Sequence, residues 1–243
     1  MLSVGNSYSE ARNALRAICS QPLLNWREAR FHGRYGEVEL HLLEFLCRRK
    51  ADAIDVGAHD GSYVHYLRRY ARHVVAYEPT PALVEALRHK FPCGVTVQAM
   101  ALSEVPMQRL DDVYSGDVGF IKIDVGGHEQ AVLDGAVETI KRCQPRLLVE
   151  VDDRLSPGGL GRARAYFDRL GYRGLFVHRG QLKPVERFSI QTMQDAADLP
   201  DPTAPLHARQ RFGRYIYNFI FLPPDELQST VWRMTERLRA LAA

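Results

Sequence analysis

Two short stretches of this chain carry the same chemistry in nearly the same letters. Residues 54–59 read "IDVGAH" and residues 123–128 read "IDVGGH", followed at once by Asp60 and Glu129. Each puts an acid at the end of an apolar run, then small residues, then a histidine. A carboxylate there can accept hydrogen bonds or neutralise a cation, and glycine lets the backbone turn tightly and approach a ligand without a Cβ in the way. A third acid, Glu78, ends another apolar run a little over twenty residues after Asp55. An acid so placed, at the tip of a neighbouring strand, can accept hydrogen bonds from both hydroxyls of a ribose.

The first stretch is not the G-x-G-x-x-G turn that a dinucleotide pyrophosphate needs, and no G-K-[ST] follows to make a Walker A loop. A turn without phosphate chemistry next to a ribose-reading acid suggests a nucleoside cofactor without phosphates. S-adenosylmethionine fits that description. The candidate cofactor residues are Asp55, Gly57, Ala58, His59, Gly61 and Glu78, with Asp124 reaching in from the second copy. Asp124, His128 and Glu129 are the candidates for the acceptor half of the site, where a methyl-accepting oxygen must be held in line and relieved of its proton. His128 suits a base by its intrinsic pKa, or it is a first-turn helix residue facing solvent. Glu129 either serves the site or is a favourable charge near a helix N-terminus. Glu150 and Asp152 end a later run and are further candidates for the same cleft. Residues 128 and 129 are adjacent and point apart on a helix, so no metal site is expected.

The elements that must position these residues follow from the hydrophobic pattern. Short apolar runs stand at 52–56, 73–78, 94–102, 119–125, 146–151 and 174–179, with amphipathic helix-like segments such as "TPALVEALRHKF" and "HEQAVLDGAVETIKRC" between them. Thr80 is placed as an N-cap, with Pro81 at the first helical position. Alternation of this kind implies an α/β fold with a mostly parallel sheet covered on both faces. A last strand, "YIYNFIFLP" at 215–223, follows a long loop, and antiparallel edge pairing with the 174–179 strand is expected. The pattern divides the chain into an N-terminal helical extension (1–50), a core domain (51–223) and a C-terminal amphipathic helix (224–243). Within the extension, "EARNALRAI" and "EVELHLLEFLCRR" have helical spacing.

With 46% apolar and 25% charged residues, the composition is that of a soluble globular protein. The formal charge of +3 is mild, and no run of Lys/Arg concentrates it, so no nucleic-acid partner is expected. The basic stretch "HARQRFGRY" reads as a solvated loop or as a surface facing an anionic substrate. The four cysteines are far apart without a C-x-x-C pair, which favours reduced thiols in a cytoplasmic protein. There is no signal-peptide pattern, and no apolar run is long enough to span a membrane. Oligomeric state is not readable.

The blocks "IDVGAHDGSY", "VVAYEPTPALVEAL", "ALSE", "LDDV", "FIKIDVGGHEQAVLDGA" and "RLLVEV", in this order between about residues 36 and 222, resemble the FkbM family of S-adenosylmethionine-dependent methyltransferases. The resemblance implies a class I methyltransferase fold, Rossmann-like, with a seven-stranded sheet whose last strand is antiparallel. It implies methyl transfer to a hydroxyl of a sugar, glycan or secondary metabolite. By motif match, Asp55, Gly57 and Gly61 become the methionine-side loop and Glu78 the ribose acid. Position 59 is usually Asn in this family and here is His59; both tolerate a left-handed backbone. The family usually has Glu where this chain has Gly126, and a small residue where it has His128. The segment "ALSEVPMQRLDDV" is much shorter than its family counterpart, and Ala99 replaces a common Asn. These departures leave a second reading open: a non-catalytic relative that keeps the fold and acts as a binding or assembly partner. A nicotinamide-dependent oxidoreductase is disfavoured by the absent dinucleotide turn.

Overall fold

A computed structural model describes Phe31, Arg34 and residues 36–102, 108–199 and 213–242. Its centre is an eight-stranded sheet in the order β3-β2-β1-β4-β5-β8-β6-β7. The strands are β1 (Asp52–Val56), β2 (Val74–Tyr77), β3 (Val95–Gln98), β4 (Val118–Ile123), β5 (Arg146–Glu150), β6 (Arg173–His178), β7 (Gln181–Pro184) and β8 (Asn218–Leu222). Strands β1 to β5 pair in parallel, and β8 lies antiparallel between β5 and β6. All six apolar runs picked out from β1 to β6 are strands, within a few residues at each end.

The pattern missed two features. The last strand is antiparallel and pairs with β6, as expected, but it is interior rather than at the edge. The edge belongs to an eighth strand, β7, antiparallel to β6. Its sequence "QLKP" has a single large apolar residue and an exposed or half-buried side chain at every position, so it carries no alternation by which to recognise it.

Helices cover both faces. Among the described residues they include α1 (Ser62–Tyr70), α2 (Pro81–Lys90), α3 (Glu129–Asp134), α4 (Val137–Cys143), α5 (Gly159–Arg169) and α6 (Leu227–Ala242). One apolar layer joins Ala53, Phe120, Leu148 and Ile220 of the sheet to Val64 and Leu67 of α1, Leu87 of α2 and Met234 and Leu238 of α6. The other joins Ile54, Ile121, Val149 and Phe219 to Val132 of α3, Ile140 of α4 and Phe167 of α5. Every residue of β1 and β4 is buried, as parallel strands covered on both faces require.

The stretch "EVELHLLEFLCRR" is not the continuous helix its spacing predicts. It forms two short turns, Val38–His41 and Leu43–Leu46, and Cys47 is extended. Leu42, Leu43 and Leu46 are fully buried in the first apolar layer. Leu40 and Glu39 are buried as well, so this segment is enclosed on more than one side and follows its neighbours rather than a single amphipathic stripe. The segment "EARNALRAI" lies outside the described residues, as does most of the loop before β8. Cys47, Cys93 and Cys143 are free thiols. Among the described residues no helix is long and apolar enough to cross a membrane.

Candidate active site

The carboxyl ends of the neighbouring strands β2, β1, β4 and β5 lie side by side, the usual place for a ligand in a sheet of this kind. After β1 the chain makes a tight turn in which Gly57, His59 and Gly61 all have positive φ (79°, 45° and 79°). The turn is fastened to β2: Gly57 N and Ala58 N donate to the Tyr77 carbonyl at 2.9 and 3.1 Å. Glu78 continues the fastening. Its Oε2 accepts from His59 N at 3.0 Å and its Oε1 from Thr80 N at 2.9 Å. Thr80 occupies the N-cap position of α2 but makes no side-chain capping bond, and Pro81 begins that helix.

The two glycines of the turn are needed for different reasons. A Cβ on Gly57 would stand 1.8 Å from the Asp124 carbonyl oxygen, so the turn lies directly against the second copy of the motif. Asp124 N also donates to the Val56 carbonyl at 3.0 Å. A Cβ on Gly61 would meet the Phe91 ring at 2.5 Å and Leu87 at 2.7 Å. The second glycine therefore makes room for packing against α2.

Strand register decides what faces the cleft. Asp55 pairs with Lys122 across β1 and β4, and Glu150 pairs with Asn218 across β5 and β8. Side chains alternate along a strand, so Asp55, Lys122, Asp124, Glu150 and Asn218 continue the face that begins with Ala53, Phe120, Leu148 and Ile220. Lys122 is the hub. Its Nζ lies 3.0 Å from Asp124 Oδ2, 3.5 Å from Asp55 Oδ1 and 4.8 Å from the centre of the Tyr63 ring. Tyr63, in the first turn of α1, donates its hydroxyl to Glu37 Oε2, and Asn218 Nδ2 donates to the same oxygen at 3.1 Å. Asn218 Nδ2 is also 3.5 Å from Glu39 Oε2.

This clustering moves proton affinities. Burial pushes the Asp55 carboxyl up to about 6; Lys122 opposes the shift and Asp124 adds to it. Both Asp55 oxygens are buried without a hydrogen-bond partner, the nearest charge being that ammonium. Burial works against the charge on Lys122, but Asp55 and Asp124 outweigh it and raise the ammonium above its ordinary value. Glu150 is pushed up to about 8 by burial, then by Asp124 and Glu37. Burial and Glu37 push Glu39 up to about 8 as well.

The acceptor-side candidates do not share one environment. His128 is exposed at the N-cap position of α3, and its side chain makes no capping bond. Glu129 is buried and turns back on its own loop, where Oε1 accepts from Gly127 N at 2.8 Å and Val125 N at 3.3 Å. Gly126, at φ 60°, has nothing within 4 Å of where a Cβ would be. Asp152 is engaged elsewhere, holding Arg154 and the Tyr215 hydroxyl (2.8 Å). Sequence reasoning missed Lys122, Tyr63, Glu37, Glu39 and Asn218. Lys122 had a signal, because a lysine inside a fully apolar strand is rarely buried without a partner. Nothing in the letters announces Glu37 or Glu39.

No curated protein sequence matches the chain. Residues 94–173 match the model of the methyltransferase FkbM domain. The FkbM match runs from the start of β3 to the start of β6 and includes Lys122, Asp124 and Glu129. It stops short of the Gly57 turn and Glu78. Among solved structures, the chain is similar to a methyltransferase FkbM from Methylobacillus flagellatus KT, at 18% identity and a TM-score of 0.51. That match covers 72% of this chain and 44% of the other, so the chain spans less than half the length of that relative. It is also similar to an rRNA methylase from Streptococcus thermophilus, at 10% identity and a TM-score of 0.50, covering 76% of this chain and 93% of the other. Both likenesses are of fold: a mostly parallel α/β sheet with antiparallel strands toward one edge, as in class I methyltransferases.

Proposed function

We propose that this chain is an S-adenosylmethionine-dependent methyltransferase acting on a hydroxyl oxygen of a sugar, glycan or secondary metabolite. The observation that carries the reading is the pair of acids flanking the Gly57 turn. Asp55 is fully buried on one side, with neither oxygen hydrogen-bonded and the Lys122 ammonium 3.5 Å away, and Glu78 braces the turn on the other. The residues present fit the cofactor. A buried carboxylate with one ammonium at 3.5 Å and no hydrogen bond keeps acceptor capacity for a further donor. Each Glu78 oxygen accepts one backbone N–H, which leaves a lone pair on each for a ribose hydroxyl.

In this reading Asp55, Gly57, Ala58, His59 and Gly61 form the methionine-side loop, and Glu78 orients the ribose. The cofactor, when bound, supplies a methyl group on a positively charged sulfur. Lys122 holds Asp55 and Asp124 together so that two carboxylates can share one buried face. Asp124, at the rim, is placed to hold the acceptor or the cofactor. Glu129 keeps the 125–127 turn closed by binding its amides. His128, exposed at the start of α3, is the candidate base toward an acceptor hydroxyl. The acceptor class rests on the family resemblance, since the fold is shared with an rRNA methylase. The dispersed basic residues favour a small molecule or glycan over nucleic acid.

The test is calorimetry with S-adenosylmethionine and S-adenosylhomocysteine on folded protein. Heat at micromolar ligand supports the reading, and none at high micromolar ligand refutes it. A non-catalytic relative is the second reading, favoured by Gly126, which leaves open space where the family carries a carboxylate. Binding of cofactor without methyl transfer to any panel of glycans and metabolites would select it.

A further inference from the structure

This face gathers more carboxyl groups than Lys122 can neutralise when they ionise. On the face defined by Ala53, Phe120 and Leu148 stand Asp55, Asp124 and Glu150, and the segment before β1 brings Glu37 and Glu39 against Asn218 at its end. Among the described residues the one ammonium within reach is shared between Asp55 and Asp124. Glu150 receives no ion pair among the described residues, and its strongest charged neighbours are the like charges of Asp124 and Glu37. Glu37 has both of its hydrogen-bond donors, Tyr63 and Asn218, on Oε2 and neither on Oε1. Gathering ionised carboxylates here opposes folding unless they hold protons, as the raised Glu150 and Glu39 allow, or something positive enters. The buried Asp55 carboxyl has only the Lys122 ammonium, 3.5 Å from one oxygen, and no hydrogen-bond donor on the other.

We propose that Glu37 and Glu150 form a charge-reading wall that makes this site prefer a cationic sulfur or nitrogen centre over a neutral one. This rests on the methyltransferase reading and adds to it. Glu78 and the Gly57 turn recognise the nucleoside, while the wall distinguishes the sulfonium of the substrate form from the neutral thioether left after methyl transfer. It therefore favours release of the spent cofactor. Glu37 comes from the segment before the sheet, so that segment becomes part of the site. Tyr63 and Asn218 are positioning residues that hold Glu37 in place.

The experiment needs no acceptor. Affinities of S-adenosylmethionine, of sinefungin (an amine in place of the sulfonium methyl) and of S-adenosylhomocysteine are measured by calorimetry near pH 8.5. Wild-type protein is compared with Glu37→Gln and Glu150→Gln. A full charge at partly screened distance is worth roughly tenfold in affinity. Wild type is expected to bind the two cations at least about tenfold tighter than the neutral thioether. Each variant is expected to lose most of that preference by weakening the cations alone, and its unchanged affinity for S-adenosylhomocysteine reports an intact fold. Equal affinity for all three ligands in wild type overturns the wall and leaves the methyltransferase reading standing. Variants that weaken all three alike overturn it too, because a merely structural role would do that. Failure of all three to bind folded wild type overturns both. Glu37 is only half-buried, so the Glu37→Gln arm stands even if Glu150→Gln does not fold.

Discussion

Replacing Lys122 by Met removes the cation that faces Asp55 and keeps much of the side-chain volume. The consequence depends on pH in a way the structure sets. In wild type the folded Asp55 carboxyl sits at about 6 against an ordinary 3.8. A raised acid contributes stability that is fully present below the unfolded value and is lost as pH rises through the folded one. That loss stops near pH 6 in wild type, because Lys122 makes the ionised form tolerable above it. Without Lys122 the burial shift is unopposed and Asp55 stays protonated, so the loss continues at about 1.4 kcal/mol per pH unit. At pH 5 both proteins hold the proton and this contribution cancels. By pH 8 the variant should be less stable by roughly 3 kcal/mol on this account, in line with breaking a buried pair from one side. Urea unfolding at the two pH values measures the difference, and Lys122→Met/Asp55→Asn should recover most of the loss at pH 8. A stability gap that is the same at pH 5 and pH 8, or larger at pH 5, would refute the assignment of Lys122 as the counter-charge of Asp55.

Three further outcomes follow from the contacts. Glu78→Ala should weaken S-adenosylmethionine binding by at least about tenfold, since it removes both the ribose acceptor and the brace on His59 N. His128→Ala should leave that binding unchanged, and equal losses in calorimetry would undo this division of roles. Gly57→Ala should unfold the protein or cost more than twice what Gly126→Ala costs. Both need a left-handed backbone, worth about 1–2 kcal/mol, but only the first drives a Cβ into the Asp124 carbonyl; thermal melts compare them. Asp111→Ala should cost about 1–2 kcal/mol. Its carboxylate caps α4 from a distance, accepting from Glu138 N at 3.0 Å and Thr139 N at 2.8 Å, where Ala136 offers no cap of its own.

The parts of the fold that were legible are those where one period dominates. The buried runs of β1, β2, β4, β5 and β6 have no competing pattern, and α2 carried its own punctuation at Thr80 and Pro81. β7 was invisible because an edge strand with little apolar content need not alternate. The 37–49 stretch misled because its apolar residues answer to more than one neighbouring element, which breaks the helix after four residues. Within the site, a residue was legible when its role is local. His59 lies in the left-handed backbone that its residue type allows, and the Gly57 turn stands between strand and helix as expected. Glu37 is held by partners 26 and 181 positions away, Tyr63 and Asn218, and Lys122 reaches the Gly57 carbonyl 65 positions away. Only the register of β1 with β4 and of β5 with β8 brings them together.

That register also explains why two nearly identical spellings serve different ends. The copies sit on neighbouring parallel strands, but they are not aligned letter for letter. Asp55 lies opposite Lys122, and Val56 opposite Ile123, so Asp124 stands two residues further toward the cleft than Asp55 does. The stagger places the first acid inside the sheet, fully buried, and the second at the rim, with its side chain 36% exposed. Lys122 belongs to the second copy's strand yet lies level with the first copy's acid, so one ammonium can reach both carboxylates. The same offset brings the glycine after the first acid against the carbonyl of the second, at a separation no other residue would allow. A shift of β4 by one residue would turn Lys122 and Asp124 to the opposite face from Asp55. The site therefore depends on the pairing of β1 with β4 as much as on the letters either strand carries.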